Sequence, residues 1–519
     1  MMDENFLRYN ALDSACTLQI RNAIWDEISQ NGYDKTYQMT LDIFPDLMFM
    51  QTRGILVDQD KLGETRTDIS NKIDTLQIEL NTLCKRPINV NSSKDCQKYF
   101  YIEKGIDPYL KSGRPTIDDK ALQRIARGTA RRPGLREASL VQEIRGLQKL
   151  RGTYLDIDFD KDSRMRCSYN PRGTKFGRLS SSKTVFGTGM SFQTVPQEFK
   201  KFLVADPDYV MLEFDKRQAE WVVVAYASGD AGMISAIEKG IDVHAHTASL
   251  MYSVPVDLVK YENGLIGHTS DSEGIADIRS SDSVLVKELG SRFYQLPRTM
   301  SLRQCGKKSN HGLNYGEGYK NFALINEIEE REAKKIVELY HRIYPGIRLW
   351  YQHIQRQLSK DRTLINCFGR KVKFLDAYNE DLFKSAYSML PQSTVVDAVN
   401  MAMVKIYNNE ELTGVNGFNI DLLAQVHDSI LIQLPIKHLT NKGNFDKIVD
   451  LVNDYMSPVM EYNGRQFKIA TDAKCGLNWG EARKDTNPYG MVDIRTHQDL
   501  MNHLQMAGVL NESGTRRLD

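Results

Sequence analysis

Apolar positions recur at helical spacing through the first third of the chain. Over 1–30, Leu12, Cys16, Ile20 and Ile24 fall on one face, and over 58–84 Leu62, Ile69, Ile73, Leu76 and Leu80 do the same. Shorter helices are predicted around 93–105, 117–128 and 137–154, with little strand signal among them. After Tyr154 the pattern changes. DYVMLEFD (208–215) is a short apolar run ending in an acid, which predicts a strand that hands over to a helix near Gln218. Helices are expected over 230–255, 298–315, 328–360 and 380–408, the third broken at Tyr344-Pro345-Gly346, with a turn and strand over 363–375. Residues 256–297 crowd Ser, Asp, Glu and Gly (GHTSDSEGIADIRSSDS) and read as a long loop or insertion. IDLLAQVHDSILIQLP (420–435) is two apolar runs parted by His427, Asp428 and Ser429, the pattern of a buried hairpin. The tail from 483 to 519 is polar, with one possible helix at 496–509. Helical stretches around a few strands make the expected class α+β.

At 519 residues and 41% apolar composition the chain can bury a large core and should divide into several domains. A net charge of +1 gives no bulk argument for nucleic acid. Its distribution says more: residues 111–183, from Lys111 through Arg131, Arg132, Arg151 and Arg166 to Lys183, hold 18 Lys/Arg against 8 Asp/Glu. Such a run is either a set of solvated helix faces or a surface that tracks phosphates. Seven cysteines lie scattered, an odd number with no CxxC pair. That argues against a disulfide framework or a structural zinc site and for a reducing compartment. MMDENFLRYN is too polar for a signal peptide, and WVVVAYA (221–227) is among the longest apolar runs. A soluble, cytoplasmic protein with no membrane association is expected.

Asp215 and Asp428 each end an apolar strand run. Buried carboxylates are costly unless paired or bound to a cation. Two of them converging from separate strands could hold two divalent metals for an in-line phosphoryl transfer, and Mg²⁺ suits such a site. The alternative is two unrelated strand-end acids. In RQCGKKSNHGLNYG (303–316), Arg303, Lys307, His311 and Tyr315 recur every four residues and share a helical stripe. Two cations could hold the outer phosphates of a nucleotide, with the other two positions beside its sugar and base. Gly312 and Gly316 would let a base pair or another backbone come close. A solvated basic face explains the cations alone but not the Tyr-Gly ending. NPRGTKFGRLSSS (170–182) mixes small and basic residues, which suits close approach to a sugar–phosphate backbone.

Together these segments resemble the DNA polymerase I family, family A. EFDKRQAEWVVVAYASGD (213–230) resembles its motif A, RQCGKKSNHGLNYG its motif B and QVHDS its motif C, in family order. TKFGRLSS (174–181), FGRK (368–371) and GLNWGEA (476–482) match further signatures, so that the likeness spans roughly 45–482. The resemblance implies a right-hand polymerase fold. Its thumb would be 40–160, its palm 161–229 and 361–482, and its fingers 230–360, with a C-terminal extension over 483–519. It implies that Asp215 and Asp428, helped by the backbone carbonyl of Lys216, bind two Mg²⁺ ions, for which Mn²⁺ can substitute. A primer 3′-hydroxyl would then attack a dNTP α-phosphate and release pyrophosphate. Arg303, Lys307 and His244 would hold the triphosphate, and Lys307 could protonate the leaving group. Tyr315 would sit against the templating position, and Gln218 would join the dNTP site. Glu220 would block a ribose 2′-hydroxyl. Arg178, Gln193, Gln392 and His427 would contact primer-template DNA near the terminus, with Gly316 and Lys384 alongside.

The chain departs from the family pattern in several places. His311 stands where Phe or Tyr is usual, which puts the usual sugar discrimination in doubt. Ser429 replaces the Glu of motif C, so a third nearby acid is missing. Lys384 and Ser388 replace Arg and Asn, and Glu198 replaces an Arg, although Lys200 and Lys201 are close. Near the N-terminus Tyr9-x3-Asp13 resembles the last motif of the family's 3′–5′ exonuclease domain, so that 1–39 reads as a remnant of it; a plain amphipathic helix is the alternative. Only Asp3 and Glu4 precede Asp13 as acids, so the chain is not expected to proofread alone. A separate exonuclease polypeptide, or truncation, would account for this, and phage-like wording of several segments suggests viral DNA replication. Two competing functions remain: a single-subunit RNA polymerase-like enzyme, against which Glu220 argues, and an inactive DNA-binding accessory protein, against which the retained acids and cations argue.

Overall fold

The structure is a computed structural model that describes residues 4–510 apart from 112, 130–131, 268–271, 291–295, 298 and 327. The predicted basic residue Arg131 and the end of the polar tail, 511–519, therefore lie outside the described residues.

The first long helix, α1 (Glu4–Gln30), buries none of its residues. Helix α2 (Gln59–Cys84) starts where the Asp58 side chain accepts from the Lys61 N–H, the capping arrangement that satisfies a free helix-end donor. Its second half packs Ile73, Leu76 and Leu80 against Leu122 and Ile125 of α3 (Asp119–Arg127) and Leu140, Val141 and Ile144 of α4 (Arg136–Leu150), a core of its own. Short antiparallel pairs, 110–111 with 114–115 and 128–129 with 132–133, and the strand Ile55–Val57 interrupt this largely helical third.

The centre of the molecule is a five-stranded antiparallel sheet. Strand β1 (Tyr209–Lys216) lies in its middle, between β3 (Ser429–Pro435) and β4 (Thr471–Gly476), with β2 (Asp421–Val426) and β5 (Val492–Ile494) at the edges. Val210, Leu212 and Phe214 alternate with Glu213 and Asp215, so successive side chains leave opposite faces of β1. Register puts Asp215 opposite Ser429 on one side and Asp472 on the other. The predicted hairpin is therefore present, and it docks antiparallel on the strand that carries the other acid.

After β1 the chain turns through Gln218, whose φ of 48° is left-handed, into α5 (Ala219–Ser228). Helices α6 (Ala231–Glu238) and α7 (Val243–Tyr252) follow. Residues 256–297 do not form a loop. They fold as α8 (Val256–Ile266), α9 (Ser272–Ser281) and α10 (Ser283–Leu289); residues 268–271 and 291–295 of that expectation lie outside the described residues. The polar letters that suggested a loop include helix caps: Asp282 accepts from the N–H groups of Val284 and Leu285. Leu258, Val259, Leu285 and Leu289 bury together against Ala245 and Ala248.

Helix α11 (Leu302–Leu313) crosses α7 closely. A Cβ on Gly306 would stand 2.2 Å from the His244 carbonyl oxygen, so only glycine permits this approach. Helices α12 (Tyr319–Asn326), α13 (Glu330–Ile343) and α14 (Pro345–Asp361) complete this lobe, the break at Tyr344-Pro345 falling where it was predicted. The 28-residue α15 (Glu380–Tyr407) then returns beneath the sheet. Its first half packs with the helical lobe (Leu382, Ala386, Met389) and its second with the sheet core (Val399, Met403, Ile406), so it ties the two together. Helix α16 (Lys442–Met456) adds Phe445, Ile448 and Val452 to the sheet core, and α17 (His497–Met506) lies within the predicted tail helix. All seven cysteines are free. Among the described residues no helix is long and apolar enough to cross a membrane.

Candidate functional site

A cleft of about 1080 Å³ opens above the sheet. It is lined by Asp215 and Lys216 from β1, His427 and Asp428 from the hairpin tip, Gln218 and Glu220 from the start of α5, and Arg303, Lys307, His311 and Tyr315 from α11. Arg178, His244 and Lys384 also reach it. The residues predicted from three separate segments therefore share one space. Gln193, Gln392 and Gly316 do not line it.

Asp215 and Asp428 are half-buried. Burial, with the neighbouring charges of Asp428 and Glu213, pushes the Asp215 carboxyl up to about 7. Burial also raises Asp428, with the Glu220 carboxylate adding to it. Two carboxyls thus lie in one another's field, and among the described residues neither makes an ion pair, the electrostatic situation of a cation site. Among the described residues no group of three or more His, Cys, Asp or Glu is arranged to hold a metal. Oxygen donors beyond these two acids would have to come from backbone, water or ligand, which is the way magnesium is usually held. The Lys216 N–H donates to the Asp428 carbonyl at 3.3 Å, fixing the two strand ends to one another. The Lys216 side chain leaves the opposite face, is buried, and donates to the Met456 carbonyl oxygen.

The hairpin tip is held from below. His427 adopts a left-handed φ of 54°. Its N–H donates to Gln193 Oε1 at 3.2 Å, and Gln193 Nε2 donates to the Gln425 carbonyl at 2.8 Å. Gln193, expected to touch DNA, here supports the loop that presents Asp428, while His427 itself is exposed.

On α11, Arg303 and Lys307 are one turn apart. Arg303 pairs with Asp242 at 2.7 Å. Burial opposes the charge on Asp242, but Arg303 and the Ala245 N–H hold its carboxyl below the usual range. His244 is pushed down to about 4, by burial first and by Arg303 second, so its imidazole is neutral near pH 7. Asn310 Nδ2 lies 3.0 Å from its Nδ1. An amide NH₂ can only donate, so Nδ1 accepts and Nε2 carries the proton. Asn310 is itself fixed by the Thr247 hydroxyl at 2.9 Å. His244 is thereby set as a hydrogen-bond donor. Sequence reading missed Asp242 and Asn310; the aspartate's position just before a helix is a capping signal that marked it.

Glu220 is the hub of the opposite wall. One carboxylate oxygen accepts from Arg178 and the other from the Tyr315 hydroxyl. Burial and the Glu220 carboxylate keep Tyr315 protonated, well above the usual tyrosine range. His311 meets Tyr315 edge-on at 5.9 Å. Gly316 has a φ of 74°, and a Cβ there would come within 3.1 Å of Tyr387, which stacks on Tyr351 at 3.9 Å. Glycine at this position keeps the end of α11 against that aromatic pair.

Much of the predicted basic stretch is spent internally. Arg164 pairs with Asp206, Arg166 with Asp160 and Asp162, and Arg145 donates to the Val90 and Ile117 carbonyls. These arginines hold loops together and are not free to track phosphates.

The family model for DNA polymerase family A matches residues 59–264 and 265–481. The chain is 25% identical over 412 residues to the thermostable DNA polymerase I of Thermus aquaticus, covering 75% of this chain and 42% of that protein. It is 25% identical over 499 residues to DNA polymerase I of Chloroflexus aurantiacus, covering 91% and 46%. The chain thus spans about half the length of the curated relatives it matches. Among solved structures it resembles the POL domain of Pol1 from M. smegmatis, in complex with DNA primer-template and dNTP. The TM-score there is 0.66 at 22% identity, over 85% of this chain and 70% of that one.

Proposed function

The chain belongs to DNA polymerase family A, and from that premise we propose that it is a template-directed DNA polymerase. It would extend a primer 3′-hydroxyl with dNMPs and release pyrophosphate. The observation that carries this reading is the pair of half-buried acids, Asp215 and Asp428, in one cleft with the cations of α11. The hand-like division follows: 40–160 as thumb, 161–229 with 361–482 as palm, and 230–360 as fingers. The separate apolar core of α2, α3 and α4 supports the first of these.

Asp215, Asp428 and the Lys216 carbonyl would hold two Mg²⁺ or Mn²⁺ ions, which when bound supply charge neutralisation at the reacting phosphate and a more acidic attacking hydroxyl. Arg303 and Lys307 bind the triphosphate, Arg303 exchanging some of its contact with Asp242 for phosphate oxygens. His244 donates from Nε2 to the same group. Lys307 is placed to give a proton to departing pyrophosphate. Gln218, at the entry to α5, borders the same pocket. Primer-template DNA would lie along Arg178, Gln193, His427, Gln392, Gly316 and Lys384.

Glu220 closes the sugar side of the site. Glu220→Ala should raise ribonucleotide incorporation relative to dNTP by roughly 10–100-fold, since a shaped pocket rejects an added hydroxyl by about that factor. Competition between dNTP and NTP in single-nucleotide extension measures it, and an unchanged ratio would remove Glu220 from sugar selection. The same assay separates this reading from an RNA polymerase-like one.

Helix α1 supports a second element of the proposal. Phe6, Leu12, Ile20 and Ile24 are 44–60% exposed on it, and Tyr9 and Asp13 lie among them. We assign this face to a 3′–5′ exonuclease polypeptide in phage DNA replication. The chain should leave a mismatched 3′ terminus intact, and pull-down from the native source should recover an exonuclease that Ile20→Asp/Ile24→Asp no longer captures. Excision by the pure chain, or recovery of no exonuclease, defeats this assignment.

A further inference from the structure

Two residues before Asp215, on the same face of β1, stands Glu213, an acid in the middle of a strand whose other neighbours are apolar. Its Oε1 accepts from two side chains: Trp479 Nε1 at 3.0 Å and the Ser429 hydroxyl at 3.3 Å. Trp479 is buried and fixed in the chain that follows β4. Ser429 is the residue after Asp428 and lies directly across from Asp215. The Ser429 hydroxyl also stands 3.1 Å from the Val426 carbonyl, so its one proton is shared between the hairpin's own backbone and Glu213.

Two cations stand beside this carboxylate. Lys474 is its register partner on β4. Lys200 lies 4.0 Å over the Trp479 ring, and Glu213 and Asp215 both act on its charge. On its other side Lys474 is paired in register with Asp493 of β5. The remaining acid next to Asp215, Asp472, is exposed and held by Arg217 at 2.5 Å. Glu213 is therefore the acid placed to tie the hairpin tip to β1 and to the Trp479 segment.

Resting on the polymerase reading, we infer that Glu213 is a positioning residue of the site: through Ser429 and Trp479 it sets Asp428 against Asp215. It does not itself bind the ions. A carboxylate at this place also accounts for the tolerance of serine at 429, because the negative charge at the hairpin base comes from the neighbouring strand.

The test is Mn²⁺ binding by electron paramagnetic resonance, on protein with a dideoxy-terminated primer-template and matching dNTP, so that no turnover is needed. The Mg²⁺ dependence of primer extension is measured in parallel. Glu213→Ala should weaken Mn²⁺ binding by about 10–100-fold, the usual cost of losing a residue that supports a metal ligand, while the protein stays folded in EDTA with a modestly lower unfolding temperature, since Trp479 Nε1 loses its acceptor. Glu213→Gln keeps one carbonyl oxygen able to accept both hydrogen bonds but loses the charge, and should fall between wild type and alanine. The exchange Glu213→Ser/Ser429→Glu restores a carboxylate from the other strand and should regain most of the loss. Wild-type Mn²⁺ affinity in Glu213→Ala overturns the inference, as does an exchange variant no better than alanine. Should the alanine variant fail to fold, the glutamine and exchange variants decide by the same criteria. Failure of the wild type to extend primers or bind Mn²⁺ would instead overturn the polymerase reading.

Discussion

Asp428→Ala is expected to lower the primer-extension rate by about 10³-fold, because charge stabilisation at the reacting phosphate is worth several kcal/mol and each ~1.4 kcal/mol is a factor of ten. The loss should appear in the rate at saturating dNTP more than in dNTP affinity, since the triphosphate contacts on α11 are untouched. Asp215→Ala should match it, and the double variant should lose little more, as expected when two groups act as one unit. Asp472→Ala is the control. Asp472 sits opposite Asp215 in the sheet but pairs with Arg217 at the surface, so its removal should change the rate by less than about threefold, within the range of exposed ion pairs. Removing divalent cations with EDTA should abolish extension, and added Mg²⁺ should restore it. Primer extension on a defined template with purified variants measures all of these. An Asp428→Ala variant that extends normally would end the polymerase reading and leave an accessory DNA-binding role.

Both acids were legible in the sequence because each ends an apolar run, and a strand with period-two burial puts its terminal polar residue at an edge. The α11 stripe was legible for the parallel reason at a helical period. What joined these pieces was not legible. Arg178 reaches Glu220 across 42 residues, Tyr315 reaches it across 95, and Arg303 reaches Asp242 across 61. Such contacts depend on how α5, α7 and α11 pack, and a local pattern carries no record of that. Glu213 was hidden differently: it reads as one more polar residue alternating along a strand, and its role appears only when β3 and the Trp479 segment are set beside it. The error over 256–297 came from chemistry with two meanings. Ser, Asp and Gly mark loops, but the same residues cap short helices, and α8, α9 and α10 are short.

That misread region carries the second large effect. Arg279→Ala is expected to destabilise the lobe formed by α7 through α11 by about 3–5 kcal/mol, the range seen when one partner of a buried ion pair is removed. Arg279 and Glu262 are 3% and 0% exposed. Arg279 Nε donates to Glu262 Oε1 at 2.9 Å, and the guanidinium also donates to the carbonyls of Pro297 (2.6 Å) and Met300 (3.2 Å). The other Glu262 oxygen accepts from the Leu302 N–H at 2.9 Å, the first residue of α11. Burial raises the Glu262 carboxyl, and Arg279 opposes that shift, so without the arginine the acid is left buried and without its cation. The pair therefore anchors the start of the helix that carries Arg303 and Lys307. Amide hydrogen exchange should show faster opening over 256–266 and 299–306 in Arg279→Ala, with the exchange of β1 and β3 little changed. The dNTP concentration for half-maximal extension should rise, because Arg303 sits one residue past the loosened end, while Asp215 and Asp428 remain in place. Replacing both partners, as in Glu262→Gln/Arg279→Met, should recover much of the stability, since the cost lies in the stranded charge more than in the lost contact. Unchanged exchange over these segments in Arg279→Ala would show that α11 is seated by its apolar contacts with α7 alone.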